Sequence, residues 1–152
     1  MADTETLTAS IRGAGLRVTR PRLAVLSAVS ETPHAVTETI LGSVRAALPE
    51  VSRQAVYDVL RALTDAGLVR RIQPSGHAAR YETRIGDNHH HVVCRDCGDV
   101  RDVDCALGQA PCLTAAHDHG FEIDEAEVVY WGRCPECAAR RRSAHDHPRE
   151  PL

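Results

Sequence analysis

The chain has 152 residues, 43% of them hydrophobic and 26% charged, which is enough to bury the core of one ordinary domain or of two small ones. No apolar run approaches the about 20 residues of a membrane span. The N-terminal residues do not resemble a signal peptide, so a cytoplasmic protein without a membrane partner is expected. Residues 1–84 have 11 Arg against 8 acidic residues and residues 85–152 have 7 against 13, which predicts a basic module followed by an acidic one.

In the first half, apolar residues recur at helical spacing between residues that start or stop helices. The predicted helices span residues 4–14, 19–30, 37–48 and 52–66. Two short strands, at residues 68–72 and 79–82, follow across a Pro-Ser-Gly turn. Three well-delimited helices followed by a hairpin is the order of a winged helix-turn-helix domain, and the alternative is a generic helical domain.

The second half is predicted to mix strands with a helix, after a short hinge at residues 85–88. The expected strands span residues 90–94, 100–103 and 121–131, with a helix at about residues 111–119. From residue 138 onward the chain is charged and has no apolar periodicity, so residues 138–152 are expected to be disordered. The sequence therefore predicts an α+β protein with a basic helical module before a smaller second domain.

All six cysteines lie in the second half of the chain. Because the cytoplasm is reducing, clustered cysteines there more often bind a metal than form disulfides. Two Cys-x-x-Cys pairs, Cys94 with Cys97 and Cys134 with Cys137, can each present two sulfurs at a tight turn. Four thiolates complete a tetrahedral site without an open position, so the pairs predict a structural Zn²⁺ ion. Two redox-active pairs or an iron–sulfur site are the alternatives.

Three consecutive histidines, His89 to His91, immediately precede the first cysteine pair. Because side chains alternate along a strand, His89 and His91 share one face and His90 takes the other. Two carboxylates lie in neighbouring predicted elements, Glu82 at the end of the hairpin and Asp102 on the return strand. Imidazole and carboxylate ligands suit Fe²⁺, Mn²⁺, Zn²⁺ or Ni²⁺, although a polar strand end or a histidine-rich linker gives the same pattern.

One face of the helix predicted at residues 52–66 is polar, opposite its apolar stripe. In an isolated helix this pattern is typical of a solvated face. In the last helix before a wing, however, the N-terminal half would enter the major groove of DNA, while arginines around the start of the helix at residues 19–30 reach phosphates. The side chains predicted to contact DNA are Arg17, Arg20, Arg22, Arg53, Gln54, Tyr57 and Arg61.

Five motifs occur along the chain in a distinctive order and spacing. They are Gly15-Leu16-Arg17-Val18-Thr19-x-Pro21-Arg22, Ser52-x-x-Ala55-Val56-Tyr57-x-x-Leu60, Arg80-Tyr81-Glu82, His89-x-His91-x-x-Cys94-x-x-Cys97-Gly98 and Cys134-x-x-Cys137. Together they resemble the ferric uptake regulator family of bacterial metal-dependent repressors. The resemblance implies a winged-helix DNA-binding domain at residues 1–84 and an α/β dimerisation domain with the zinc site at residues 89–137. It also implies a homodimer that binds an inverted-repeat operator in double-stranded DNA.

The same resemblance implies a regulatory site at the hinge that would hold Fe²⁺ or Mn²⁺. Its implied ligands are His34, Glu82, His89, His91 and Asp102. Because these ligands come from both domains, metal occupancy would select the domain arrangement that binds DNA.

Asp102 stands where iron sensors of the family usually have Glu. In this position the chain resembles the peroxide-sensing branch of the family. In that branch, bound Fe²⁺ makes peroxide oxidise a ligand histidine. The expected function is therefore a peroxide-sensing repressor of oxidative-stress genes such as catalase, rather than an enzyme. The alternatives are an iron- or nickel-responsive uptake regulator and, in another class, a metalloenzyme. Cys105 and Cys112 lie outside the four-cysteine pattern and are either buried free thiols or a redox-active pair.

Overall fold

The structure is a computed structural model that describes residues 3–87, 89–104, 115–123 and 126–145. The chain divides into two units, Met1–Asp87 and Asn88–Leu152. Cys105 and Cys112 lie outside the described residues, as do residues 111–114 of the helix predicted at residues 111–119; residues 115–119 are described and are not helical. Within the described ranges, no helix is long and apolar enough to cross a bilayer.

Helices form most of the first unit, and side-chain caps fix where three of them begin. The helices are α1 (Thr4–Gly13), α2 (Arg20–Glu31), α3 (Thr37–Ala47) and α4 (Arg53–Asp65). The side chains of Asp3, Thr19 and Ser52 each accept a hydrogen bond from a backbone N–H of the first turn, which satisfies donors that a helix start leaves unpaired. These helices agree with the predicted ranges to within one residue at each end.

An antiparallel sheet completes the first unit, with its strands in the order β1-β3-β2. The strands are β1 (Ala35–Val36), β2 (Arg70–Ile72) and β3 (Arg80–Glu82). β2 and β3 form the predicted hairpin, so the winged helix-turn-helix fold of this unit is confirmed. β1 was not predicted, because two residues are too few to show a period, and it forms because Ala35 pairs with Tyr81. This pairing fixes the loop before β1 against β3.

An aliphatic core holds the first unit together, with side chains that are at most 1% exposed. They are Ile11, Val25, Val29, Ile40, Val44, Val56, Leu60 and Leu63. Burial of each such side chain contributes about 1.5–3 kcal/mol relative to leaving it in water. The last three belong to one face of α4, which leaves the opposite face of that helix for solvent or a ligand.

A mixed sheet forms the second unit, with β4 (His89–Cys94) between β5 (Val100–Asp104) and β6 (Val129–Gly132). β5 is antiparallel to β4 and places Asp102 opposite His91. β6 is parallel to β4 and leads into α5 (Pro135–His145). The mixture of helices and sheets in the two units confirms the predicted α+β class.

Besides the helix predicted at residues 111–119, two elements of the second unit differ from the expectation from sequence. The strand expected at residues 121–131 is confined to β6, since residues 121–123 and 126–128 form no strand. Of residues 138–152, which were expected to be disordered, residues 138–145 belong to α5, and residues 146–152 lie outside the described residues. This helix has no apolar stripe that a periodicity could reveal. It is anchored instead by Cys137, which is 2% exposed, and by an ion pair between Arg141 and Asp96.

Candidate metal centres and nucleic-acid interface

Both cysteine pairs lie at the same end of the second sheet. Cys94 ends β4 and Cys97 lies in the turn that follows, where Gly98 adopts a left-handed φ of 73° that favours glycine. Because β6 runs parallel to β4, the chain leaves both strands at this end, and α5 begins between Cys134 and Cys137. The sulfurs of the four cysteines all lie within 4.8 Å of one another. The four sulfurs are therefore close enough together to bind one metal ion.

The sulfurs of this cluster differ in acidity. Hydrogen bonds from the backbone of Cys134 and Cys97 lower the pKa of Cys94 to about 6. The Arg140 guanidinium donates to Cys137 Sγ at 2.8 Å and favours its thiolate, but burial and the three other sulfurs outweigh it and raise the pKa of Cys137 to about 12. Four thiolates at this spacing repel one another unless a cation lies between them, so the donor set fits a tetrahedral Zn²⁺ ion.

A second group of metal-ligating side chains lies on one face of the same sheet. The ring centroids of His89 and His91 are 4.8 Å apart, and their Nε2 atoms lie 3.8 Å and 3.6 Å from Asp102 Oδ1. These separations are longer than a hydrogen bond but suit two ligands around one ion with bonds of about 2.1 Å. Both histidine side chains are fully buried, whereas that of Asp102 is 30% exposed. His90 projects from the opposite face, where its ring lies 6.4 Å from that of Tyr130.

The first unit contains a separate imidazole–carboxylate pair. His34 lies in the loop between α2 and β1, and Glu82 ends β3. His34 Nε2 is 3.0 Å from Glu82 Oε2, and the two side chains are 11% and 1% exposed. A buried carboxylate loses its hydration and requires a hydrogen-bond donor or a cation, and this pair of groups suits Fe²⁺, Mn²⁺ or Zn²⁺. The structure thus groups two of the predicted regulatory ligands in the first unit and three in the second.

The exposed face of α4 contains a small network centred on Asp58. Gln54 Nε2 donates to Asp58 Oδ1 at 2.9 Å, and Arg61 Nη2 lies 3.8 Å from the same oxygen. Tyr57 lies beside them and is 41% exposed. Three of the side chains predicted to contact DNA are therefore on the solvent side of the helix, opposite its buried stripe.

The remaining predicted DNA contacts lie at the ends of neighbouring helices. Arg53 begins α4 and forms an ion pair with Glu38 of α3. Arg17 and Arg20 are exposed just before and at the start of α2. Arg22 is half-buried and donates through Nη1 to the Arg17 carbonyl at 2.6 Å, so it braces this loop in addition to adding positive charge.

Two arginines contact candidate ligands although the sequence assigned them no role. Arg80 Nη1 donates to the backbone carbonyl of His34 at 2.9 Å, and Arg140 contacts the sulfur of Cys137. The first contact depends on the pairing of β1 with β3, and the second depends on α5, which was expected to be disordered. Neither contact can be predicted from the order of residues along the chain.

The chain is similar in sequence to known transcriptional regulators. A family model described as the ferric uptake regulator family matches residues 13–131. The transcriptional regulator FurA of Mycobacterium tuberculosis is 68% identical over 138 residues, covering 91% of this chain and 93% of that protein. Ferric uptake regulation protein 1 of Mycolicibacterium fortuitum is 68% identical over 131 residues, covering 86% of this chain and 81% of that protein. The peroxide-responsive repressor PerR of Staphylococcus aureus is more distant, at 28% identity over 130 residues, covering 85% of this chain and 87% of that protein.

Solved structures also share this fold. The ferric uptake regulator of Pseudomonas aeruginosa, solved with manganese, is 30% identical to this chain and superposes with a TM-score of 0.66. The match covers 85% of this chain and 98% of the other. The family match at residues 13–131 therefore includes parts of both units.

Proposed function

The chain belongs to the ferric uptake regulator family, and from this premise we propose that it is an iron-responsive repressor that acts as a homodimer on an inverted-repeat operator. Membership of the family makes it a metal-dependent transcriptional regulator. The observation that most supports the finer proposal is the occurrence of buried imidazoles next to carboxylates in each unit. These groups are His34 with Glu82, and His89 and His91 with Asp102.

In this proposal the two groups of ligands bind one Fe²⁺ or Mn²⁺ ion. The pair in the first unit offers two ligands and the group in the second unit offers three, whereas such an ion prefers about six. An ion that both units share restricts how they move relative to each other, and a ligand shifts a conformational population only through such a difference between states. When bound, the ion supplies positive charge and a fixed coordination geometry, and the side chains convert its presence into a DNA-binding shape.

DNA binding is proposed to use the exposed face of α4 as the recognition surface of each protomer. Gln54, Tyr57 and Arg61 would face the bases, while Arg17 and Arg20 would neutralise phosphates. Two such helices related by a two-fold axis require two half-sites in opposite orientation. The operator would therefore be an inverted repeat, and binding would weaken steeply as salt increases.

The four-cysteine cluster is proposed to hold a structural Zn²⁺ ion in the dimerisation domain. Its ligands come from the end of β4, the following turn and the start of α5, so the ion would tie the sheet to the helix. Because four sulfurs leave no open coordination position, this ion has no catalytic role.

We favour iron over the peroxide response that Asp102 led us to expect. The relatives at 67–68% identity are named FurA and ferric uptake regulation proteins 1 and 2, whereas the peroxide-responsive repressor is 28% identical. One residue that distinguishes branches of a family is weaker evidence than similarity over the whole chain. The comparisons thus support the uptake-regulator alternative better than peroxide sensing.

Peroxide sensing is kept as a second candidate because of one structural feature. The imidazoles of His89 and His91 are packed together beside Asp102 with no exposure to solvent. An ion held there would have ligand imidazoles next to it, and hydrogen peroxide could transfer one oxygen atom to such a ring and leave as water. Loss of that ligand would release the metal and the DNA.

The proposal is tested by measuring operator affinity of the zinc-loaded protein with and without added Mn²⁺, which replaces Fe²⁺ without reacting with air. Asp102→Asn keeps the size of the side chain but removes a charged ligand, so metal-dependent affinity should fall by roughly tenfold or more. Asp118→Asn, in an exposed loop of the second unit, is the matched control and should bind as the wild type does. DNA affinity that is independent of Mn²⁺ in the wild type would contradict the proposal.

A further inference from the structure

The backbone of His34 has a conformation that a side chain ordinarily disfavours. Its φ is 63°, in the left-handed region that residues other than glycine rarely adopt. Such a conformation persists only where surrounding contacts fix it, and it is commonly found at functional sites. The contacts that fix His34 therefore show what the structure requires of this loop.

Three consecutive residues of β3 hold His34. Its backbone N–H donates to the Tyr81 carbonyl at 2.8 Å, and its own carbonyl accepts from Arg80 Nη1 at 2.9 Å. Its imidazole Nε2 lies 3.0 Å from Glu82 Oε2. The strand thus fixes the residue on both sides of its Cα and at the tip of its ring.

Tyr81 contacts His34 through its backbone carbonyl, and Glu82 does so through a candidate ligand atom. Arg80 instead uses a side chain that is not a candidate metal ligand. Its Nε is buried and has no hydrogen-bond partner among the residues that the structure describes. Desolvation of part of a guanidinium costs free energy that an arginine in open solvent avoids. The bond to the His34 carbonyl is charge-assisted and so stronger than a bond between neutral groups.

We propose that Arg80 is a positioning residue of the regulatory metal site, which holds the His34 backbone in its left-handed conformation so that the imidazole is presented beside Glu82. The inference rests on the proposed function, since it assumes that His34 and Glu82 bind a metal. Without the Arg80 bond, His34 can relax to negative φ, and the ring swings away from the carboxylate. Metal binding must then restore the conformation, and this ordering lowers the apparent affinity.

The test compares Arg80→Met, which keeps an unbranched side chain but removes the donors, with Arg80→Lys, which keeps a charged donor. Arg71→Met is the matched control, because Arg71 is an exposed arginine on the neighbouring strand β2. Titration calorimetry of the full zinc-loaded chain with Mn²⁺ should show about tenfold weaker binding for Arg80→Met, as loss of one charged hydrogen bond predicts. Arg80→Lys should recover part of the affinity, and Arg71→Met should match the wild type.

Amide hydrogen exchange in the metal-free protein provides a second readout. In Arg80→Met the His34 amide should exchange faster, while the amides of Leu60 and Leu63 in the core should not. Unchanged Mn²⁺ affinity and unchanged exchange at His34 would overturn the proposal. Unfolding of both Arg80 variants would also overturn it, since Arg80 would then serve the fold as a whole. Absence of Mn²⁺ binding in the wild type would instead reject the proposed function.

Discussion

Neighbouring sulfurs in the four-cysteine cluster have opposite preferences for a proton. The pKa of Cys94 is lowered to about 6, so the stability that its thiolate contributes is present above its ordinary value of 9.0 and is lost as the pH falls through about 6. The pKa of Cys137 is raised to about 12, so its contribution is present below 9.0 and is lost as the pH rises through about 12. The cluster therefore has one thiolate ready to receive a cation at neutral pH.

This difference predicts the titration of the metal-free protein. Ultraviolet absorbance of thiolate should rise in a step near pH 6. Cys94→Ser should remove that step, because the backbone hydrogen bonds that lower the pKa are made to the Cys94 sulfur. Cys105→Ser changes a thiol outside the two Cys-x-x-Cys pairs and should leave the step in place. A titration in which all thiols ionise in their ordinary range would contradict the assignment.

At the level of elements, the two faces of α4 are expected to separate stability from DNA binding. Leu60 is 1% exposed, so Leu60→Ala should lower the free energy of unfolding by about 2–5 kcal/mol. Tyr57 is 41% exposed, so Tyr57→Ala should change that free energy by less than about 0.5 kcal/mol. If the exposed face contacts bases, Tyr57→Ala should instead weaken operator binding by about 1–3 kcal/mol.

Denaturant unfolding and operator titration of the two variants provide the measurement, and each variant is the control for the other. A Tyr57→Ala protein that binds the operator like the wild type would show that this face does not contact DNA. Strong destabilisation by Tyr57→Ala would show that the face has a partner within the protein.

Elements with a local signal could be predicted from the sequence, and those that depend on distant contacts could not. The caps Thr19 and Ser52 and the apolar period mark α2 and α4, and the Cys-x-x-Cys spacing marks the cysteine cluster. The strand β1 is only two residues long and exists through its pairing with β3. Likewise, α5 is fixed by Cys137 and by Arg141 with Asp96. In both cases the stabilising partner is far away in sequence.

The same distinction applies to the candidate metal site. Strand alternation predicts that His89 and His91 share a face, because it requires only neighbouring residues. The left-handed conformation of His34 and the support from Arg80 arise from contacts across 46 residues, so no local pattern reveals them. The branch of the family was also read from a single residue, Asp102, and the similarity of the whole chain favours a different one.

For the whole molecule, the candidate ligands are divided between two units that are joined by a short segment. A metal that binds within one unit would alter only that unit. In the proposed function the metal takes ligands from both units, so its binding would restrict their relative motion and thereby change the affinity for an operator with two half-sites. Regulation in this proposal therefore depends on where the ligands lie along the chain as much as on their chemistry.

Iron-responsive and peroxide-responsive regulation predict different behaviour of the same dimer. If the proposed iron-responsive function is right, DNA binding should follow the concentration of Fe²⁺, and the histidines should stay unmodified at peroxide doses that leave the protein folded. Peptide mass spectrometry and operator titration of Fe²⁺- and Mn²⁺-loaded protein after equal peroxide provide the measurement, with the Mn²⁺ form as control. One added oxygen on His34 or His89 in the Fe²⁺ form, in step with loss of DNA binding, would establish the second candidate instead. A disulfide between Cys105 and Cys112 with unmodified histidines would show that thiols rather than the metal site respond to peroxide.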